Sequence, residues 1–278
     1  MTNTNPHFQD TPSSRSLPKV IFFGNGPLAD FALSILEQNF DIIFHAKTKA
    51  DLETVKTLKK QHPEAHGILA SFGVLIKQDL LDLFEPEGIL NIHPSLLPKY
   101  RGASPIESAI LNGDKTFSVS IMKLAKAMDA GPIYYQETLT PDDTNRPDLK
   151  PYLYKTLAET GATWLAQNLK NLPKPTLQND QNATFCSKLD KSMSLLTPET
   201  DSAEKTLRKI QAFQTFPKPK YQFFNKTCII LAAHLSVSTE SPLLPLPCAD
   251  DKVLSIDRLQ PEGKSPMDAK SFLNGYAK

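Results

Sequence analysis

The sequence predicts an α/β domain with a mostly parallel sheet, followed by a smaller C-terminal β-barrel domain. Three observations support this fold class. Strands alternate with helices up to Leu172, a stretch rich in proline and asparagine follows, and short alternating strands fill the C-terminal part. Alternating strands and helices imply right-handed crossovers and a sheet covered on both faces. A chain of 278 residues also exceeds what one hydrophobic core usually organises, so we expect two domains.

The N-terminal domain repeats one pattern. An apolar run from Lys19 to Phe23 is closed by the turn Gly24–Pro27, and apolar residues then recur at helical spacing through Leu36, which predicts a strand, a turn and a helix. The remaining predictions for this domain are strands at 41–45, 67–71, 88–92, 117–124 and 133–139, and helices at 50–61, 77–84 and 150–172.

Both ends of this domain are predicted to be irregular. Residues 1–17 are polar and aperiodic, which is typical of a flexible tail. Residues 173–187 combine prolines with Asn179–Asn182 and show no periodicity, which predicts a linker. The boundaries of the N-terminal domain are therefore expected at 18 and 172.

The C-terminal domain, expected at 188–278, begins with a helix. Asp201 starts a capping pattern, and apolar residues then recur at helical spacing as far as Phe213. Short alternating segments, separated by turn residues and prolines, predict a small β-barrel or sandwich. Those segments are 221–224, 227–232 and 253–259.

Composition restricts the function classes. Hydrophobic residues make up 40% of the chain, charged residues 22%, and the formal net charge is +1. A charge this small gives no overall attraction for nucleic acid or an anionic membrane, so such a partner would need a local patch. No apolar run is long enough to span a bilayer and no apolar signal segment is visible, so we expect a cytoplasmic protein without a membrane partner.

The cysteines and histidines do not indicate a metal site. Cys186, Cys228 and Cys248 lie far apart without C-x-x-C spacing, which argues against a disulfide framework or a zinc site. The histidines outside the Asn91–Gly102 segment show no paired ligand spacing either. We therefore expect reduced thiols and no metal.

The segment with the most candidate catalytic residues runs from Asn91 to Gly102, with the sequence NIHPSLLPKYRG. It directly follows a predicted strand, so Asn91 and His93 share one side of the strand end, where ligands bind in open α/β sheets. An amide and an imidazole can stabilise the oxyanion that forms when an amine attacks a carbonyl carbon. Asp129, in a later turn, can orient the imidazole or relay a proton if the fold brings it beside His93.

These residues alone leave other interpretations open. An Asn-x-His at a strand end is often structural, and an aspartate in a Gly-Pro turn often only forms the turn. Ser95 lacks the G-x-S-x-G context of a hydrolase nucleophile. The segment Gly24–Ala29 is similar to a dinucleotide fingerprint, but Pro27 removes an N–H and the second strand ends without an acidic residue for a ribose. A nicotinamide-dependent enzyme is therefore a weaker alternative.

Together with Pro105-Ile106 and Asp129-x-Gly131, the Asn91–Gly102 segment resembles the 10-formyltetrahydrofolate-dependent formyltransferase family. The resemblance implies a Rossmann-like N-terminal domain, transfer of a formyl group from 10-formyltetrahydrofolate to an amine, and catalysis by Asn91, His93 and Asp129. It also assigns a folate-binding role to Ser95, Leu96, Leu97, Pro98, Phe72, Gly73, Val74 and Leu75.

Members of this family differ in the amine that they formylate. Lys188-Leu189, the helix that ends at Phe213 and the segment Leu259–Met267 resemble the OB-like C-terminal barrel of members that act on initiator methionyl-tRNA. This implies a role in translation initiation, a tRNA-binding domain at 188–278 and, we expect, a monomer. The predicted nucleic-acid-binding residues are Arg101, Lys47, Lys205, Arg208, Lys209, Lys218 and Lys220. Their positive charges can bind a phosphate backbone.

Two departures from the family pattern keep other functions open. Ala125 and Ala127 occupy positions where the family usually has Asp and Gly, which leaves open a catalytically silent RNA-binding relative. The long basic segment that typically follows the second strand is almost absent here, because the chain runs from Thr48 into the next helix. A formyltransferase for a sugar nucleotide or another small amine is therefore the other alternative.

Overall fold

The computed structural model describes residues 17–236 and 242–277. Of the predicted flexible tail, residues 1–16 lie outside this part of the chain. The described residues form an N-terminal α/β unit around a six-stranded sheet and a C-terminal unit around a five-stranded antiparallel sheet. This arrangement confirms the predicted fold class, with the C-terminal sheet curled into a half-barrel rather than a closed barrel.

The N-terminal unit contains the following elements: β1 Lys19–Gly24, α1 Pro27–Leu36, β2 Asp41–Ala46, α2 Leu52–Gln61, β3 His66–Ala70, α3 Gln78–Leu81, β4 Ile89–His93, β5 Arg101–Gly102, α4 Pro105–Asn112, β6 Phe117–Lys123, β7 Ile133–Leu139 and α5 Leu149–Asn168. The elements after it are β8 Phe185–Cys186, α6 Ala203–Phe213, β9 Lys220–Phe223, β10 Lys226–Leu235, β11 Pro245–Pro247, β12 Val253–Pro261, β13 Met267–Asp268 and α7 Ala269–Tyr276. Each predicted strand and helix is present within a few residues of its expected position, whereas α4, α7 and four short strands were not predicted.

The N-terminal sheet has the strand order β2-β1-β3-β4-β6-β7. Its first four strands are parallel, and β6 and β7 are antiparallel to their neighbours. The carboxyl ends of β1, β3 and β4 therefore lie along one edge, which we call the catalytic edge because the predicted catalytic residues Asn91 and His93 lie at the end of β4. Because the strand order changes direction at β1, this edge also has the crevice in which open α/β sheets bind ligands.

Apolar packing covers both faces of this sheet. Along β1, Val20 and Phe22 pack toward α1 and α5, whereas Ile21 and Phe23 pack toward α2 and α3. Because both sets of side chains are fully buried, the strand has a continuous apolar sequence instead of an alternating one. Gly161 lets α5 approach the sheet, since a Cβ there would lie 2.7 Å from a methyl carbon of Ile92.

The C-terminal unit is organised around β10 and β12, which pair along most of their length. Its sheet has the order β11-β12-β10-β9, and β13 adds to β12. Leu207 and Ile210 of α6 pack into this unit's core, while Ala212 and Phe213 at the other end of α6 pack into the core of the N-terminal unit. One helix therefore joins the two cores. It begins at Ala203 with Ser202 as its N-cap, one residue after the predicted cap at Asp201.

A buried ion pair fixes the same junction. The Nζ of Lys150 lies 2.9 Å from Glu107 Oε1, and donates to the carbonyl oxygen of Ala212 at 2.8 Å and to the hydroxyl of Thr215 at 3.1 Å. The Tyr154 hydroxyl also donates to Glu107, at 2.8 Å. Burial, together with this carboxylate, raises the pKa of Tyr154. Helices α4, α5 and the end of α6 are thus tied together by charged groups.

Candidate active site

Two polar side chains lie buried at the end of β4. Asn91 pairs with Leu69 of β3 and Met122 of β6, and His93 pairs with Ser120. Since side chains alternate along a strand, Asn91 and His93 project from the same face. Within the described residues the Asn91 amide has no hydrogen-bond partner, although the residue is buried. That amide is available to bind a substrate oxygen.

One ring nitrogen of His93, Nδ1, faces the carboxylate of Asp129. His93 Nε2 lies 3.1 Å from the carbonyl oxygen of Tyr100, and because a carbonyl only accepts, Nε2 carries the proton. His93 Nδ1 lies 3.8 Å from Asp129 Oδ1. This separation is longer than a hydrogen bond but suits an ion pair once the ring is protonated. The structure therefore brings together the imidazole and the carboxylate that the sequence placed in separate segments.

Backbone contacts set the position of Asp129. Its Oδ2 accepts the Gly102 N–H at 2.8 Å, and its φ of 48° is in the left-handed region, which aspartate tolerates better than most residues. Two residues on, Gly131 lies directly against the backbone of Lys123, and a Cβ at Gly131 would overlap the Lys123 carbonyl oxygen. The Asp129-x-Gly131 spacing thus lets this turn pack closely against β6.

The loop after β4 is held by side chains of β6 and β7. The Ser120 hydroxyl donates to the carbonyl oxygen of Ser95 at 2.6 Å, and Gln136 Nε2 donates to Leu97 O and to Ser120 Oγ, each at 2.9 Å. The Ser95 hydroxyl donates across the loop to Lys99 O at 2.7 Å. These contacts make the loop a fixed wall of the site.

The predicted folate-binding residues lie on the loops after β3 and β4, at the catalytic edge. Leu75 is 81% exposed and Leu96 is 42% exposed, and Gly73 is also accessible. Val74 and Pro98 are half-buried. Phe72 and Leu97 are buried, and the Ser95 hydroxyl is already occupied, so these three support the surface instead of forming it. Their contact with a folate stays a prediction.

Arg101, predicted to bind nucleic acid, is only 4% exposed. Its guanidinium donates to Gln178 Oε1 from Nε at 3.0 Å and from Nη2 at 2.7 Å, and Nη2 also lies 2.8 Å from Asp180 Oδ1. A phosphate would have to displace these partners. The nucleic-acid role of Arg101 therefore stays a prediction, and the structure provides other partners for its charge.

The basic residues of α6 are also engaged. Lys205 and Lys209 both pair with the buried carboxylate of Asp201. Burial alone would raise the pKa of Asp201, but hydrogen bonds from these two lysines and from Thr197 outweigh it and lower the pKa to about 2. The guanidinium of Arg208 packs against Gly113.

The three other predicted lysines lie elsewhere. Lys47, at the end of β2, and Lys218, before β9, are exposed, and Lys220 of β9 is half-buried.

The segment predicted as a linker crosses the catalytic edge. Thr176 exchanges two backbone hydrogen bonds with Ile133 at the start of β7, at 2.8 and 2.7 Å. Thr184 then binds the loop after β4, and β8 runs parallel to β5, so that Cys186 pairs with Gly102. Gln178 and Cys186, which the sequence analysis did not assign to the site, therefore lie beside it. Their partners stand far away in the sequence, 77 residues for Gln178 and Arg101, so no local signal indicates them.

Cys186 lies directly behind the loop. It is half-buried, and its thiol donates to the carbonyl oxygens of Tyr100 at 3.5 Å and Arg101 at 3.4 Å. Burial raises the pKa of this thiol. It therefore supports the same Tyr100 carbonyl that binds His93.

Among residues 17–236 and 242–277, no group of three or more His, Cys, Asp or Glu side chains is arranged to hold a metal ion. None of the helices in this part of the chain has the length and apolar character needed to cross a membrane.

Two family models together match most of the chain. One, described as formyl transferase, matches residues 18–169, and the other, described as the formyl transferase C-terminal domain, matches residues 188–277. The chain belongs to the formyl transferase family. It is therefore a formyl-group transferase, and the family resemblance inferred from the Asn91–Gly102 segment is confirmed. A similar curated protein is methionyl-tRNA formyltransferase from Dehalococcoides mccartyi (strain ATCC BAA-2266 / KCTC 15142 / 195), with 34% identity over 223 residues, covering 75% of this chain and 69% of the relative.

Solved structures share the fold at lower identity. HypX from Aquifex aeolicus, solved in complex with tetrahydrofolic acid, has a TM-score of 0.72 and 17% identity, and the match covers 94% of this formyl transferase. The chain spans about half the length of HypX, 48%. WlaRD, a sugar 3N-formyl transferase solved in the presence of dTDP and 5-N-formyl-THF, has a TM-score of 0.63 and 18% identity, and the match covers 91% of this chain and 100% of WlaRD. At these identities the likeness shows the fold.

Proposed function

We propose that this formyl transferase moves the formyl group of 10-formyltetrahydrofolate to the amino group of methionyl-initiator tRNA. One observation carries the chemistry: the Asn91 amide, without a hydrogen-bond partner among the described residues, lies at the catalytic edge on the same strand face as His93, whose ring faces Asp129 at 3.8 Å. The acceptor is supported by the C-terminal domain match and by a relative named methionyl-tRNA formyltransferase. Such an enzyme acts in the cytoplasm, in translation initiation, and we propose that it does so as a monomer.

Each member of the trio has a separate task. The Asn91 amide donates to the formyl oxygen and stabilises the negative charge that develops there as the new C–N bond forms. His93 Nδ1 accepts the proton that the attacking nitrogen loses, since Nε2–H is held by Tyr100 O. Asp129 stabilises the resulting imidazolium. His93 then returns the proton to the nitrogen that leaves the formyl carbon, so that one C–N bond forms and one breaks.

The catalytic edge also suits the proposed donor, which supplies a formyl group attached to a flat heterocyclic carrier. Leu75 and Leu96 present apolar side chains to solvent on neighbouring loops, and Gly73 leaves its backbone accessible. Apolar walls with a few backbone hydrogen-bonding groups are typical of cofactor-sized sites. The HypX and WlaRD structures, solved with tetrahydrofolic acid and 5-N-formyl-THF respectively, support the same class of donor.

For tRNA, the lysines that carry no acidic partner are the strongest candidates. Lys47 and Lys218 are exposed, and the described residues place no carboxylate within ion-pair distance of either one. Lys205 and Lys209 share the single carboxylate of Asp201, so only the positive charge that this carboxylate does not neutralise can attract a phosphate. Lys220, Arg208 and Arg101 are less accessible. We propose that phosphates bind first at Lys47 and Lys218.

A small amine is the second candidate acceptor, because one observation favours it. Strand β2 ends at Ala46 and the next helical turn begins at Lys49, so the long basic segment that the family resemblance implies for tRNA recognition is absent at this point. WlaRD, which shares the fold, is a sugar 3N-formyl transferase.

A side-by-side comparison of candidate acceptors tests which amine is formylated. The purified protein receives 10-formyltetrahydrofolate together with either methionyl-initiator tRNA or a panel of nucleotide-linked amino sugars, and mass spectrometry follows the formylated products. Preferential formylation of the tRNA is expected. Formylation of a sugar nucleotide alone would refute the tRNA proposal, and RNA binding without turnover on any acceptor would indicate a catalytically silent relative. His93→Ala serves as the inactive control.

A further inference from the structure

Gln178, in the segment between α5 and β8, makes four hydrogen bonds with its side-chain amide. Its Nε2 donates to the carbonyl oxygens of Asp129 at 2.8 Å and Gly131 at 2.7 Å. Its Oε1 accepts two N–H groups of Arg101, at 3.0 and 2.7 Å. A carboxamide has two donor hydrogens and two acceptor lone pairs, so its hydrogen-bonding capacity is fully used.

The two halves of this amide cannot be exchanged. A guanidinium only donates, so Arg101 requires the Gln178 oxygen on its side, which leaves the NH₂ group for the two carbonyl oxygens. A rotated amide would set N–H against N–H on one side and oxygen against oxygen on the other. Arg101 therefore determines which way Gln178 faces, and its planar fork binds one oxygen twice in a way that lysine cannot reproduce.

The amide bridges the two segments that meet at the Asp129 carboxylate. On one side it binds the backbone before and after Ala130, next to Asp129, which has a φ of 48°. On the other side it binds Arg101, whose neighbour Gly102 donates its N–H to Asp129 Oδ2 at 2.8 Å. The backbone and the carboxylate of Asp129 are thus both fixed through one unit.

We infer that Gln178, oriented by Arg101, is a positioning residue that holds Asp129 in place beside His93. The inference rests on the proposed role of Asp129 as the partner of the His93 imidazolium. Under this inference the buried guanidinium of Arg101 serves to orient Gln178 and does not bind a phosphate. Displacement of a catalytic group by about 1 Å can cost about a hundredfold in rate, so the effect on turnover is measurable.

Gln178→Glu is the informative substitution, because it keeps the oxygens that face Arg101 and removes the N–H groups that bind the turn. Its matched control is Gln181→Glu, which makes the same change on an exposed side chain with no hydrogen-bond partner in the described residues. We expect Gln178→Glu to lower kcat about 10- to 100-fold with the KM of both substrates nearly unchanged. Gln181→Glu is expected to match the wild type.

Combination with Asp129→Asn separates positioning from a general structural role. If Gln178 acts through Asp129, adding Gln178→Glu to Asp129→Asn lowers kcat much less than it does in the wild type, because coupled residues are not additive. An equal loss in both backgrounds would overturn the inference.

A second measurement does not depend on any acceptor. Hydrogen exchange of the Gly102 N–H, which Asp129 Oδ2 accepts, is expected to be faster in Gln178→Glu and in Arg101→Lys, and unchanged in Gln181→Glu. If the wild type formylates no tested acceptor, the proposed function fails, yet the exchange rates still decide the positioning role. Unchanged exchange in Gln178→Glu would refute that role, and lost RNA affinity with normal exchange in Arg101→Lys would refute the assignment of Arg101.

Discussion

Replacing Lys150 by methionine tests how strongly the buried ion pair at the domain junction stabilises the fold. The Lys150 and Glu107 side chains are only 4% and 6% exposed. Lys150→Met keeps a long apolar side chain but leaves the Glu107 carboxylate with the Tyr154 hydroxyl as its hydrogen-bonding partner, and it removes the donor to Ala212 O. Removing one member of a buried pair costs about 3–5 kcal/mol, because the other charge stays buried without compensation. We expect a loss of that size in the free energy of unfolding.

Urea unfolding at neutral pH measures this loss, with linear extrapolation to zero denaturant. Lys155→Met is the matched control, since Lys155 lies on the same helix, is exposed and has no acidic partner in the described residues. Surface changes of this kind usually shift stability by less than about 0.5 kcal/mol. The double variant Lys150→Met/Glu107→Gln removes both charges and still accepts the Tyr154 hydroxyl, so it is expected to recover part of the loss. A loss below about 1 kcal/mol for Lys150→Met, or a double variant less stable than it, would refute the reasoning.

Three further predictions concern the candidate site and the stability of the folded protein at acidic pH. His93→Ala and Asp129→Ala are each expected to lower single-turnover formyl transfer by about 10²- to 10⁴-fold, the range of a lost acid–base partner, and near-normal rates would contradict the trio. Gly131→Ala forces a Cβ onto the backbone of Lys123, so thermal unfolding at a lower temperature and slower transfer are expected together. Asp201 has its pKa lowered from 3.8 to about 2 in the folded protein, so it contributes stability above pH 4 that is lost as the pH falls toward 2. Asp201→Asn should therefore cost about 2 kcal/mol at pH 7 by urea unfolding, and a difference that did not shrink below pH 4 would argue against this account.

The sequence predicted the sheet well because its signal is local. A strand buried on both faces, such as β1, needs a continuous apolar run, and that run is visible in the four consecutive residues Val20–Phe23. Helix α4 was missed although it carries boundary signals, with Pro105 at its first position and Gly113, at a φ of 77°, just after its end. It has only eight residues, about two turns, so its apolar positions repeat too few times for helical spacing to stand out in the sequence.

The sequence predicted only part of the candidate site. The side-chain alternation of one strand is enough to place Asn91 and His93 on one face. The approach of Asp129 to His93 depends on how the turn before β7 packs against β6, which no local pattern encodes. The bonds that Gln178 makes depend on contacts across 77 residues and on a segment whose composition is typical of a linker. Aperiodic composition indicates only the absence of a helix or strand of ordinary length, not the absence of tertiary contacts.

The pairing of β8 with β5 restricts where two such enzymes can be joined to make a chimera. A chimera that joined a foreign C-terminal unit after Leu172 would discard Gln178, Thr184 and Cys186, and with them the hydrogen bonds that hold the Asp129 turn and the loop after β4. The usable crossover point lies beyond Cys186. A chimera that exchanges the C-terminal unit therefore has to keep residues 173–186, whose composition is typical of a linker, together with the N-terminal unit.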